Sequence, residues 1–162
     1  MIIDLFKSDI NDFAVMKSVL NAEVIESDID TLLNVLSQTS NLLVANMIAF
    51  HLKLFKDSRI LDVLIEVISR PSSVGKRGKL IICCDEYDCT KYFELFMQIV
   101  LEEEGESCLH AIDVIAGMDG PFSNDQLSNA ISEIEACIGV KKNNDALPYL
   151  MKLKKYLKRL IH

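Results

Sequence analysis

The sequence has few residues of the kinds that interrupt regular structure, with three prolines and six glycines among 162 residues. Half of the residues are hydrophobic and a quarter are charged. This composition excludes a disordered, collagen-like or low-complexity chain. Because the length is that of one ordinary domain with a sizeable core, we predict a single folded, soluble domain over residues 1–162.

Long apolar runs are also missing. The longest stretch without an acidic or basic residue, Thr31–Leu52, has 22 residues, but polar residues such as Asn34, Asn41 and Asn46 are spread along it. A membrane-spanning helix needs about 20 predominantly apolar residues. Asp4 and Lys7 interrupt the N-terminus before the apolar region of a signal peptide develops. We therefore expect a cytoplasmic protein that does not associate with a membrane.

The sequence has five cysteines, an odd number, and no C-x-x-C pair. This pattern matches neither a disulfide framework nor a common zinc motif, and it favours reduced, mostly buried thiols. The cysteines are Cys83, Cys84, Cys89, Cys108 and Cys137.

Catalytic motifs are absent from the sequence. It has three histidines, and it contains no G-x-S-x-G elbow, H-E-x-x-H helix or glycine-rich dinucleotide fingerprint. The segment Gly75–Lys79 superficially resembles a phosphate-binding loop, but it lacks the preceding strand and the complete motif. We interpret it as a solvated basic turn that enters a helix, and we predict that the protein is not an enzyme.

One group of residues has a spacing that suits metal ligands. Glu106, His110 and Asp113 stand at i, i+4 and i+7 and so share one face of a helix. The same spacing also describes the polar face of an amphipathic helix. We therefore predict no metal site and no cofactor.

Apolar residues recur at steps of three and four along almost the whole chain, as in Ile29, Leu32, Leu33 and Leu36. This is the period of an α-helix, and sustained β alternation is missing. We therefore predict an all-α fold. The predicted helices span residues 8–20, 28–38, 41–55, 58–69, 73–84, 89–103, 106–117, 124–138 and 145–160.

Capping residues set these boundaries. Ser27 and Ser123 each begin a predicted capping box, and Asp57 and Asp88 are predicted N-caps. Gly139 is predicted to stop a helix. Stops and turns are also expected at Arg70–Ser73 and Met118–Pro121, and Pro148 is compatible with a helix only within its first turn.

The helices show an internal repeat. A shift of 31 residues places Leu33 on Leu64, and a second shift of 31 places Leu64 on Leu95. A third shift, of 35 residues, places Phe96 on Ile131. A period of this size is typical of stacked helical hairpins.

Two segments resemble the HEAT-like repeats. Residues 41–49 are similar to the second helix of such a repeat, with small residues among apolar ones, and residues 60–68 are similar to its first helix. The resemblance covers residues 27–138 approximately. It implies a HEAT-like α-solenoid of about four helical hairpins, with residues 145–160 as a basic C-terminal capping helix. The alternative is an irregular helical bundle.

The net charge of the chain is −7, and it is unevenly distributed. Residues 149–162 contain five basic residues and no acid, so residues 1–148 have 12 basic and 24 acidic residues, a net of −12. A field of this sign repels nucleic acid and attracts a basic protein. We predict that the partner binds the following residues: Asp85, Glu86, Tyr87, Asp88, Glu102, Glu103, Glu104, Glu106, Asp113 and Asp119.

In size, acidity and repeat character the chain resembles the immunity proteins of contact-dependent growth inhibition and other polymorphic toxin systems. The resemblance implies that it binds and neutralises a cognate bacterial toxin, a basic nuclease-type domain, by occluding the active site of that toxin. It also implies a monomer that joins a heterodimeric complex. The alternative function is a HEAT-like cytosolic adaptor or regulatory scaffold.

Overall fold

The structure is a computed structural model that describes residues 23–140 and 145–161. These residues form eight α-helices and no strand, which confirms the all-α prediction. The helix predicted over residues 8–20 lies outside the described residues. Within the described part of the chain, every helix is too short or too polar to cross a membrane.

The chain divides into two compact units, Met1–Val74 and Gly75–His162. The single domain over residues 1–162 stays a prediction. The first unit contains α1 (Ile29–Gln38), α2 (Leu42–Leu52) and α3 (Ser58–Ile68). Helix α1 packs against both α2 and α3. The fully buried side chains of this unit include Leu32, Leu36, Ile48, Leu52, Ile60, Leu64 and Ile68.

Side-chain caps begin two of these helices. The Asn41 side chain accepts hydrogen bonds from the backbone N–H groups of Leu43 and Val44 at the start of α2. Asp57 caps α3 by accepting from the Arg59 N–H at 2.9 Å, as predicted. The capping box predicted at Ser27 is wrong. Residues Glu26–Asp28 form a 3-10 turn instead.

The second unit contains α4 (Gly78–Ile81), α5 (Phe93–Glu102), α6 (Gly105–Ala116), α7 (Asn124–Val140) and α8 (Leu147–Leu160). Two 3-10 segments, Ile82–Glu86 and Thr90–Tyr92, precede α5. Helix α6 lies at the centre of this unit, in contact with α4, α5, α8 and the 3-10 segment Ile82–Glu86. Helix α7 packs against α5 and α8.

Two of the predicted helix boundaries in this unit are confirmed and one is wrong. Ser123 and Gln126 form the predicted capping box, with Ser123 Oγ accepting from the Gln126 N–H at 3.1 Å and Gln126 Oε1 accepting from the Ser123 N–H at 3.2 Å. Pro148 lies in the first turn of α8, where its missing N–H costs no helical hydrogen bond. Helix α7, in contrast, continues through Gly139 to Val140.

The helix predicted over residues 73–84 is interrupted. Pro71–Ser73 form a 3-10 turn, and Gly75 has φ +73°, which lies outside the helical region and suits glycine. The helix therefore begins only at Gly78, and after one turn it continues as the 3-10 segment Ile82–Glu86.

Candidate functional site

Eight of the nine acidic residues in the predicted binding set are exposed, and all eight belong to the second unit. They are Asp85, Glu86, Asp88, Glu102, Glu104, Glu106, Asp113 and Asp119. Tyr87 is half-buried. The ninth acid, Glu103, is buried.

Helix packing brings four of the exposed acids onto neighbouring elements. The start of α4 lies against the start of α6, since a Cβ atom at Gly78 would stand 2.7 Å from Glu106 Cβ. The 3-10 segment Ile82–Glu86, which follows α4, contacts α6 as well. Asp85 and Glu86 therefore lie on an element that packs against the helix that carries Glu106 and Asp113.

The exposed carboxylates of Asp85, Glu86, Glu106 and Asp113 are called the acidic face below. Each of the four residues is exposed. Asp113 also lies near an imidazole, with 3.9 Å between its Oδ2 and His110 Nδ1. The described ranges contain no group of three histidine, cysteine or acidic side chains arranged to hold a metal ion. Exposed carboxylates on neighbouring elements suit a charged contact surface.

The segment after Asp85 adds an aromatic side chain to this surface. The Tyr87 N–H donates to the Cys84 carbonyl oxygen at 3.0 Å, which anchors the segment to the preceding 3-10 turn. The pKa of Asp88 is lowered by hydrogen bonds from the Thr90 side chain and from the Thr90 N–H, which donates to Asp88 Oδ1 at 2.9 Å. Asp88 is therefore ionised at neutral pH.

Glu103 has a structural position, in contrast to its predicted contact with a partner. Its side chain is 4% exposed and forms an ion pair with Arg77, whose side chain is 7% exposed. Glu103 Oε2 also accepts a hydrogen bond from the Gly75 N–H at 2.9 Å. The prediction of a solvated basic turn over Gly75–Lys79 is wrong for Arg77, which is buried against the α5–α6 turn, whereas Lys76 and Lys79 are exposed.

The helical period contains a signal for this pair that sequence reasoning missed. Glu103 stands seven residues after Phe96 and three after Val100, so it falls on the buried side of the α5 pattern. Arg77 stands three residues before Leu80 and four before Ile81, both of which are fully buried. An acid and a base at buried register positions indicate an internal ion pair, because a lone buried charge is strongly unfavourable.

The other acids at this turn remain exposed. Glu102 accepts hydrogen bonds from the Gln98 side chain at 3.0 and 3.1 Å. Glu104 precedes the first residue of α6, where a carboxylate interacts favourably with the helix dipole. These two residues add exposed carboxylates at the α5–α6 turn, which precedes Glu106 in the chain.

Comparison with known proteins gives no match to a family model, a curated protein or a solved structure. The function of the chain is therefore inferred from its surface and its charge.

Proposed function

We propose that this chain is an immunity protein, which binds a basic nuclease-type toxin domain and neutralises it by covering the active site of the toxin. The observation that carries the proposal is the acidic face on α6 and the neighbouring 3-10 segment. A nuclease binds phosphate groups, so its active-site surface is basic. An acidic protein surface of similar extent complements that charge.

Charge complementarity gives fast association, whereas tight binding also needs a desolvated anchor. Tyrosine is one of the residues that most often contribute strongly to binding energy at protein interfaces. Tyr87 is half-buried between the exposed acids Glu86 and Asp88. We propose that Tyr87 inserts into the partner while the surrounding carboxylates set the orientation of the complex.

We also propose that the helices form a HEAT-like solenoid. In a stack of hairpins, first helices pack against first helices and second helices against second helices. Within the units, α1 contacts α3, and α5 contacts α7. Helix α6 likewise contacts α4 and α8, and the hairpin partners α1 and α2, α5 and α6, and α7 and α8 are in contact. This pattern supports a solenoid over an irregular bundle.

A growth-rescue experiment tests the proposed function. An immunity gene directly follows the region that encodes the toxic C-terminal domain of its cognate toxin, so the domain encoded immediately upstream is expressed with and without this chain. We expect the domain to arrest growth alone and to be neutralised by the wild-type chain. The double variant Asp85→Lys/Asp113→Lys should neutralise less well.

A matched control separates the effect of the acidic face from a general effect of charge. Glu133 is an exposed acid on α7, outside the acidic face, and the variant Glu133→Lys should neutralise as well as the wild type. If the upstream domain is not toxic, or if the folded chain does not restore growth, the immunity proposal is wrong. The adaptor function would then be the better interpretation.

A further inference from the structure

The exposed side of α8 carries a row of basic residues. Lys152, Lys155 and Arg159 stand at i, i+3 and i+7, so they lie on one side of the helix, and all three are exposed. They are called the basic stripe below. Within residues 23–140 and 145–161, none of the three forms an ion pair.

The other two lysines of α8 are paired within the chain. Lys158 Nζ lies 3.1 Å from Glu135 Oε1, and Lys154 Nζ lies 3.6 Å from the same oxygen. Glu135 belongs to α7, which packs against α8. These contacts hold α8 against α7, whereas the charges of the basic stripe are available to a partner.

Helix α6 carries negative charges with the same spacing. Glu106 and Asp113 of the acidic face are seven residues apart, which is about 10.5 Å along the helix axis. Lys152 and Arg159 are also seven residues apart. Helices α6 and α8 contact each other, yet within the described part of the chain these two acids form no ion pair with the basic stripe.

We propose that the basic stripe binds the acidic face of a second copy of this chain. Because the two rows have equal length and opposite charge, Glu106 and Asp113 can each meet a basic residue of the second copy. Each chain carries both surfaces, so the contact is head-to-tail and can continue from copy to copy. A contact made of a few exposed charge pairs is weak, so the copies exchange.

Other anionic partners fit the basic stripe less well. A helix that lies in a membrane surface buries its apolar side in the lipid, but the apolar side chains Leu150, Leu153 and Leu157 of α8 are buried in the protein. The net charge of −7 also opposes approach to an anionic lipid surface or to nucleic acid. The acidic face of a second copy complements the stripe in both sign and length.

Self-association and toxin binding would use the same acidic face, so a bound toxin domain would displace the second copy. The self-association itself does not depend on the proposed function, because it follows from charges on two helices of this chain. The experiment below contains no toxin, and its failure leaves the growth-rescue experiment unaffected.

The experiment uses two full-length variants that each lack one surface. Glu106→Gln/Asp113→Asn keeps the basic stripe, whereas Lys152→Gln/Arg159→Gln keeps the acidic face. Sedimentation equilibrium measures the average mass up to about 1 mM protein, where a complex with a Kd of about 1 mM is substantially populated. At about 0.1 M salt the screening length is about 10 Å, so facing charges attract while the net charges of two copies are largely screened.

We expect each variant alone to sediment as a monomer. Their equimolar mixture should rise above the monomer mass toward twice that mass, because one intact surface of each kind remains. The wild type should increase in mass with concentration and return to the monomer at about 1 M salt, where the screening length is about 3 Å. The control Lys53→Gln/Lys76→Gln removes the same charge outside α6 and α8 and should associate like the wild type.

A wild-type chain that stays monomeric at about 1 mM and 0.1 M salt overturns the proposal. A mixture of the two variants whose mass does not exceed that of the separate variants overturns it as well. Vesicles that contain an anionic phospholipid test the other occupant. If the wild type binds them without self-association and Lys152→Gln/Arg159→Gln does not bind them, the basic stripe belongs to a lipid surface and the proposal is wrong.

Discussion

Replacing Arg77 by Met tests the most important structural assignment of the second unit. The variant fills a similar volume but leaves the Glu103 carboxylate buried, with its side chain only 4% exposed. Removing one partner of a buried ion pair costs about 3–5 kcal/mol, because the remaining charge is neither solvated nor paired. The Gly75 N–H still donates to Glu103 Oε2, so we expect a loss at the lower end, about 3 kcal/mol.

A second substitution separates the charge effect from lost packing. In Arg77→Met/Glu103→Gln neither side chain is ionised, and replacing both members of a buried pair is often nearly neutral. We expect the double variant to recover at least about 1.5 kcal/mol relative to Arg77→Met alone. The matched control is Glu66→Gln, which removes the partner of Arg70 in an ion pair whose glutamate side chain is 58% exposed. It should cost less than about 1 kcal/mol.

The assay must report on the second unit, since a chain with two compact units does not have to unfold in one step. Amide hydrogen exchange of α5 and α6 measures the local free energy of opening directly. Urea unfolding followed by circular dichroism gives the corresponding value for the whole chain. If Arg77→Met lowers the opening free energy of α5 and α6 by less than about 1 kcal/mol, the assignment of a buried, stabilising pair is refuted.

Two further predictions concern glycine packing and pH. Gly78→Ala should lower the free energy of unfolding by about 1–3 kcal/mol, because the new Cβ would lie 2.7 Å from the Glu106 Cβ atom. Gly139→Ala on α7 meets no atom within 4 Å and should raise the free energy of unfolding by up to about 1 kcal/mol. Thermal unfolding of both variants is the measurement. The hydrogen bond from Lys158 lowers the pKa of Glu135 below its ordinary value of 4.5, so the stability from this interaction is present at neutral pH and is lost as the pH falls through the lowered pKa. The difference in thermal midpoint between the wild type and Glu135→Gln should therefore disappear in acid. A difference that persists in acid would contradict this assignment.

The helix pattern could be predicted from the sequence because it depends on local chemistry. The period of apolar residues and caps such as Asp57 and Ser123 involve residues within a few positions of one another. The structure confirms that helices begin at these caps. Pro148 was placed correctly for the same reason, since a proline without an N–H fits the first turn of a helix.

The interruption before α4 depends on contacts that are distant in sequence. Gly75 donates to Glu103 across 28 positions, and Gly78 packs closely against Glu106. Neither contact is visible in a local pattern, so residues 73–84 were predicted as one continuous helix. Glu103 differs from this case, because its position seven residues after Phe96 already falls on the buried side of α5, and only its pairing with Arg77 depends on a contact that is distant in sequence.

Gly139 shows the opposite error, in which a local signal was given too much weight. Glycine often follows the end of a helix, but it is only moderately unfavourable inside one. Helix α7 continues through Gly139, where a Cβ atom would meet only open space. Glycine at this position therefore does not mark the end of the helix.

The rate of association with the toxin domain, measured as a function of salt concentration, tests the central claim most directly. The wild type should associate fast at low salt and more slowly as salt screens the acidic face. The variant Asp85→Lys/Asp113→Lys should associate at least tenfold more slowly at low salt, and its association rate should depend less on salt. The variant Tyr87→Ala should mainly dissociate faster. The control Glu133→Lys should associate and dissociate at rates close to those of the wild type. Equal association rates for the wild type and the double variant at low salt would contradict the claim that the acidic face binds a basic partner.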